Sequence, residues 1–294
     1  MEWYHQAVLT QQQKHKSKKR DYYVNASTQY IAPFRIADRL WYVGDKAVCV
    51  HLIETDEGLI LLDAGYPNAA HLVVDSIWRA GFDPKDVKWI LHTHVHFDHF
   101  GVSSEFQRLF GTKLAIGAVD AASMRENPNR TSLNFGHTEY FENPVFDREL
   151  EDGEIFEFGG VNIRCVLTPG HTLGVMTFFF DVTYEGKTYL AGLYGGAGVN
   201  ALLLPCMLDY KLPTDLPERM LASLDLVESE PVMVHLGNHP DNNKTIEKRE
   251  KQLLEGGNPF IDAESWKEFI ESMRQKTKQK MKENKELFRV HMGS

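Results

Sequence analysis

Three imidazoles and one carboxylate fall within six residues, His94-Val95-His96-Phe97-Asp98-His99, directly after the apolar run at 87–91. Packing alone does not account for such a cluster, because polar and ionisable groups are expensive to bury without partners. Imidazole and carboxylate together suit zinc and similar divalent ions. His94 and His96 are two apart, so an extended backbone points them the same way, whereas Asp98 and His99 lie on the next turn and face a neighbouring point. The spacing therefore calls for two adjacent ion positions at a strand end.

A zinc site takes about three protein ligands and keeps one position open, so the remaining ligands must come from elsewhere in the chain. Two strand-like runs offer them. The run at 161–167 ends in Thr168-Pro169-Gly170-His171-Thr172, and the run at 231–236 ends in Gly237-Asn238-His239-Pro240. The expected sets are His94, His96 and His171 for one ion and Asp98, His99 and His239 for the other. Two Zn2+ ions fit them, and other divalent metals are compatible. A solitary His is more often a hydrogen-bonded core or surface residue, and His51, His92, His137 and His235 are read that way. Asp63 closes the apolar run at 59–62, so a carboxylate stands at a neighbouring strand end. It is expected to hold the outward ring nitrogen of a ligating imidazole.

Around these motifs, β-rich runs at 40–43, 48–54 and 59–62 are broken by the turn Asp56-Glu57-Gly58, and helical spacing over 67–80 is closed by Gly81. Strands at 87–91 and 113–117 alternate with helices at 101–110 and 118–125. Strands at 154–158, 161–167, 175–182, 187–191 and 231–236 and a helix at 216–228 follow. Two β-rich halves interleaved with helices imply sheets packed face to face with helices outside. Residues 1–28 form a polar arm carrying Lys14, Lys16, Lys18, Lys19 and Arg20, residues 29–245 one domain, and residues 246–294 a helical extension. The extension's stripe of Trp266, Phe269, Ile270 and Met273 is expected to pack on the domain, a homo-oligomer contact being the other use of such a face.

Composition narrows the function classes. The chain has 294 residues, 43% apolar and 25% charged, so it can bury a core. Its net charge of −9 opposes a nucleic-acid partner, which would call for a basic footprint. Cys49, Cys165 and Cys206 are too scattered for a disulfide framework or a Cys-x-x-Cys zinc knuckle. With no window near ~20 apolar residues and no apolar leader in the first thirty positions, no membrane association and a cytoplasmic location are expected. Neither Gly-x-Ser-x-Gly nor Gly-x-x-x-x-Gly-Lys occurs, so acyl-serine and nucleotide-hydrolysing schemes lack support.

The six-residue cluster and the distant Gly170-His171-Thr172 resemble the metallo-β-lactamase superfamily, whose signature is His-x-His-x-Asp-His followed by Gly-His-Thr. The likeness runs over residues 33–245. Pro33-Phe34-Arg35-Ile36, Leu40-Trp41-Tyr42-Val43-Gly44, Leu61-Leu62-Asp63-Ala64-Gly65, Gly81-Phe82-Asp83-Pro84-Lys85-Asp86-Val87 and Leu150-Glu151-Asp152-Gly153-Glu154 resemble the third lactamase subclass. The resemblance implies an α+β fold, a four-layer αββα sandwich with the site at one edge.

In Leu190-Ala191-Gly192-Leu193-Tyr194-Gly195-Gly196, Leu193 stands where most superfamily hydrolases, glyoxalase-II-like thioesterases and lactonases included, place a metal-bridging Asp. The third subclass also lacks that Asp and builds its second site from Asp, His and His, a trio this chain has. The implied activity is hydrolysis of an amide, lactam or ester carbonyl of a small-molecule substrate by a metal-held hydroxide, with Asp98 as the catalytic residue that ligates and orients it. The resemblance also places Tyr66, Tyr140, Leu193 and Tyr194 around the substrate pocket. Two other readings stand beside it: phosphodiester hydrolysis, favoured by the basic arm and opposed by the acidic remainder, and a metal-binding scaffold without turnover.

Overall fold

The computed structural model describes residues 26–131 and 142–292. Seven strands form one sheet in chain order: β1 (Phe34–Ala37), β2 (Leu40–Tyr42), β3 (His51–Thr55), β4 (Gly58–Leu62), β5 (Val87–His92), β6 (Lys113–Gly117) and β7 (Arg148–Leu150). The first four pair antiparallel through short turns. From β4 onward the pairing is parallel, and parallel neighbours need crossovers. Helix α1 (Ala70–Arg79) makes the first crossover, α2 (Phe97–Phe100) and α3 (Ser103–Phe110) the second, and α4 (Ala118–Glu126) lies in the third.

The second sheet has five strands in the order β12-β11-β10-β9-β8. They are β8 (Ile155–Phe158), β9 (Val161–Leu167), β10 (Met176–Tyr184), β11 (Lys187–Leu193) and β12 (Val232–Leu236). All pair antiparallel except β11 with β12. That crossover contains α5 (Leu204–Asp209) and α6 (Leu216–Val227), and α7 (Pro240–Asn243), α8 (Thr245–Glu255) and α9 (Ser265–Met292) end the chain.

The period-2 alternation of strand side chains explains why these central strands read as continuous apolar runs. In β4, Ile60 and Leu62 enter the core between the sheets, where Phe178 and Phe180 of β10 meet them. Leu59 and Leu61 point the other way, onto a second core with Val73 and Ile77 of α1 and Phe106 of α3. Phe179 of β10 likewise turns to a third core, built with Met220 and Leu224 of α6 and Trp266, Phe269, Ile270 and Met273 of α9. Three cores separate four layers, helices, sheet, sheet, helices, as expected of the αββα sandwich. The apolar stripe of α9 is thus buried on its own fold, and Trp266 Nε1 donates to Val227 O at 3.1 Å.

Some elements differ from expectation. β7 and α5 were not foreseen, because a three-residue strand with one buried side chain carries almost no alternation and α5 is a short helix opened by Leu204-Pro205. α1 and α3 begin later than expected, at Ala70 and Ser103. The residues before them are tied to each other: Gly101 N donates to Gly65 O at 2.8 Å and Ala64 N to His99 O at 2.7 Å. Among the described residues no helix is long and apolar enough to cross a membrane.

Candidate metal centre

β5 ends at His92, and the chain stays extended through His96 (φ −79°, ψ 143°) before α2 begins. His94 and His96 therefore share one direction, while Asp98 and His99 sit on the first turn of α2. Thr93 joins the two sheets at this point, its carbonyl accepting from Met176 N of β10 at 2.8 Å. This join brings the turn after β9, with His171, against the strand end. His239 arrives from the turn after β12.

The ligand atoms of His94, His96 and His171 lie within 4.8 Å of one another, and those of Asp98, His99 and His239 do the same. In the first group His96 Nδ1 lies 3.1 Å from His94 Nε2 and 2.8 Å from His171 Nε2. Hydrogen-bond accounting assigns the tautomers. The Thr93 hydroxyl donates to Asp63 Oδ2 at 2.9 Å, so towards His94 Nδ1, also at 2.9 Å, it acts as acceptor. His171 Nδ1 donates to the Gly198 carbonyl at 2.7 Å. Both rings thus spend their proton outward and turn an Nε2 lone pair inward. Burial, with the neighbouring imidazoles adding to it, holds His94 well below the usual value. His171 is lowered to about 4 by burial against the opposing pull of its carbonyl partner. Neutral imidazoles with convergent lone pairs fit a divalent cation. Donor nitrogens around a zinc ion at ~2.1 Å stand roughly 3.4 Å apart, so the two pairs at 3.1 and 2.8 Å would each have to spread by less than about 1 Å.

The second group carries charge. Asp98 Oδ2 lies 3.9 Å from His99 Nε2 and 3.7 Å from His239 Nε2. Again the outward nitrogens are held: His239 Nδ1 donates to Ala47 O at 2.7 Å, and His99 Nδ1 meets Asp63 Oδ2 at 2.8 Å. Burial works to lower the pKa of His99, but the Asp63 and Asp98 carboxylates outweigh it and the net direction is up. Asp63 sits at φ 59°, in the left-handed region that Asp tolerates better than most residues. From there its Oδ1 accepts from Thr93 N at 2.8 Å, while Oδ2 serves both the Thr93 hydroxyl and His99. One buried carboxylate therefore supports both groups.

The structure brings together all six expected ligand residues and sets Asp63 behind them. His51, His92 and His235 are bonded away from the two groups. His92 bonds Ala115 O at 2.9 Å and Ser103 Oγ at 2.7 Å, His51 bonds Gly237 O at 2.9 Å, and His235 bonds Ser265 Oγ at 3.0 Å.

The expected pocket residues need correction. Leu193 is 1% exposed and lies in the core between the sheets, since the alternation of β11 points it inward. Tyr194, also 1% exposed, faces the helix layer beside Trp266 and Phe269. Tyr66 is buried and packs edge-on against Phe97, so it supports the motif from beneath. Tyr140 and His137 lie outside the described residues.

Three supports escaped sequence reasoning. Ala47 and Gly198 act through backbone carbonyls, which no side chain announces. A Cβ on Gly198 would lie 2.5 Å from His171 Cε1, so the glycine run at 195–198 is there for close approach. Asp120 is the third. Its buried carboxylate accepts from Val95 N at 3.0 Å, Thr172 Oγ1 at 2.7 Å and Gly174 N at 2.7 Å. Burial pushes it up to about 6 even against those three bonds.

The sequence profile described as the metallo-beta-lactamase superfamily matches residues 43–183. Glyoxylase B2 of Dictyostelium discoideum is 31% identical over 104 residues, which cover 34% of this chain and 35% of that protein. The chain spans about a third of the length of the first curated relatives it matches. Among solved structures, the native FEZ-1 metallo-beta-lactamase from Legionella gormanii superposes with a TM-score of 0.80 at 28% identity, over 87% of this chain and 98% of that one. BJP-1, a subclass B3 metallo-beta-lactamase of Bradyrhizobium japonicum, shares the fold at a TM-score of 0.80 and 23% identity, over 89% of this chain and 97% of its own. Profile, fold and the arrangement of the two donor groups agree: the chain is similar to the metallo-β-lactamase superfamily over residues 43–183 and shares the fold of FEZ-1 and BJP-1.

Proposed function

We propose that this chain is a metal-dependent hydrolase that binds two zinc ions, one at His94, His96 and His171 and one at Asp98, His99 and His239, and cleaves an amide, lactam or ester carbonyl of a small molecule. The observation that carries the reading is the common orientation of His94, His171, His99 and His239. Each has its Nδ1 tied to an outward acceptor and its Nε2 turned toward its own group. Packing alone gives no reason to aim four imidazole nitrogens inward.

Ions held there would supply Lewis acidity and make water acidic near neutral pH. The protein's own part is orientation and proton handling. Asp98 directs Oδ2 at both His99 and His239, and its carboxylate is placed to orient a water and accept its proton. Asp63 keeps His99 and, through Thr93, His94 from rotating. Phe97 and Val95, which alternate with the donor residues in the motif, are both buried, and the exclusion of solvent there strengthens every electrostatic contact at the site. With Leu193 in the inter-sheet core, no carboxylate from that position reaches the groups, and each group is complete without one.

Metal analysis with a hydrolysis panel tests the proposal. The full chain should hold two equivalents of zinc and turn over ester, amide or lactam substrates. His171→Ala and His239→Ala should each lose one equivalent. Unchanged metal content in either variant would overturn the two-site partition. Two bound equivalents with turnover of phosphodiesters alone, or with none, would overturn the carbonyl reading.

A further inference from the structure

Asp120 is the third residue of α4, where a carboxylate ordinarily serves the free amides of its own helix. Here the helix receives no side-chain cap, and the carboxylate, fully buried, is turned onto two loops instead. Oδ2 accepts from Val95 N and Thr172 Oγ1, and Oδ1 accepts from Gly174 N. Val95 separates His94 from His96, and Thr172 follows His171. One loop leaves the seven-stranded sheet at β5, and the other links β9 to β10 in the five-stranded sheet. The carboxylate therefore spans the seam between the sheets where the third imidazole must meet the first two. The close approach is built into the sequence: a Cβ on Gly174 would lie 2.2 Å from Asp120 N, and a Cβ on Gly117 would lie 2.7 Å from Gly174 O. The Asp98, His99 and His239 group is held by different partners, Asp63 and Ala47.

We infer that Asp120 is a positioning residue that sets the distance between His171 and the His94–His96 pair, and so governs ion binding at the three-histidine group while leaving the second group intact. The inference rests on the reading of the two groups as ion sites. Asp120 is not a catalytic residue: all its described bonds run to protein donors and none of its surface is exposed.

The test is a stepwise cobalt(II) titration of the ion-free full chain, followed by visible absorption and accompanied by thermal melts. In Asp120→Asn the amide group must oppose either Val95 N–H or Gly174 N–H, donor against donor. Thr172→Val removes only the hydroxyl, and Thr172→Ser restores it. Asp120→Asn and Thr172→Val should each weaken one equivalent by roughly 10–100-fold, the effect expected when a ligand loses its support. It should be the equivalent that His171→Ala abolishes, and the other should bind as in the unaltered chain. Thr172→Ser should recover the lost affinity. Equal weakening of both equivalents, or unchanged affinity in Thr172→Val, would overturn the inference. If Asp120→Asn fails to fold, the Thr172 pair decides alone. An unaltered chain that binds no cobalt would overturn the ion-site reading and this inference together. Two equivalents bound with unaltered affinity in that chain, in Asp120→Asn and in Thr172→Val, with one equivalent still lost in His171→Ala, would overturn this inference only.

Discussion

His94 has no solvent exposure, whereas the side chain of His239 is 33% exposed and that of Asp98 16%. The two donor groups are neighbours, their rings as close as the 4.2 Å between the centroids of His94 and His99, yet they differ in kind. The three-histidine group contains no carboxylate, is sunk at the seam of the sheets, and has two of its rings oriented by a hydroxyl and a carbonyl. His94 and His171 stay neutral because burial disfavours the charged form. The other group contains a carboxylate, opens to solvent and shares Asp63 with the first. The contrast teaches that the first group is organised before any ion arrives, while the second must exchange a proton to receive one.

The sharpest way to break this contrast is Asp63→Ala, because Asp63 is where the groups are joined. Its loss strands the Thr93 amide and hydroxyl and the His99 ring in a buried setting, which should lower ion-free stability in urea by about 3–5 kcal/mol and remove both ions in a titration. Loss of the second ion alone would show that the link through Thr93 does not matter to the first group. Gly198→Ala should come next. A methyl 2.5 Å from His171 Cε1 displaces that ring, and a shift near 1 Å at a reacting centre is worth about 100-fold in rate. Turnover should fall by that order and one equivalent should be lost, with the second group unaffected. Retained turnover would mean that the glycine loop simply moves aside.

The pH dependence separates the groups more gently. His171 is lowered from 6.5 to about 4, so the unfolded chain binds the extra proton between those values. Its contribution to ion-free stability is full above pH 6.5 and is lost as pH falls toward 4. His99 has the opposite sign: raised above its usual 6.5, its contribution is full below that value and is lost as pH rises through its folded pKa. Because ligands must be deprotonated to bind, affinity at the second group should climb about tenfold per pH unit until His99 titrates. His94 and His171, both lowered by burial, should add little pH dependence at the first group well above pH 4. Titrations at several pH values check this, and equal slopes would erase the distinction.

Local residues explain what could be read in advance. His94 and His96 share a direction because two residues of extended backbone leave no other choice, and Asp63 is visible because an apolar run ends on it. The pocket expectations failed for a related reason. A strand buried on both faces sends consecutive residues to opposite cores, so Leu193 enters the sheet interface and Tyr194 the helix layer, and neither reaches the rim. Asp120 was hidden because an acidic residue in the first turn of a helix is commonplace, and nothing nearby in the chain says that it faces two distant loops. The carbonyls of Ala47 and Gly198 leave no trace in a sequence at all.

The amino-acid order alone determined which donor side chains stand in the six-residue motif, and its spacing against periods of two and 3.6 residues set their pairing and the alternation of strands and helices. Tertiary structure alone decided that His171, 75 residues from His96, would come within 2.8 Å of it, and which groups would hold each ring in place. Those distances depend on how two sheets settle against each other, through contacts such as Thr93 to Met176 and Asp120 to Thr172, and no local pattern encodes such a docking.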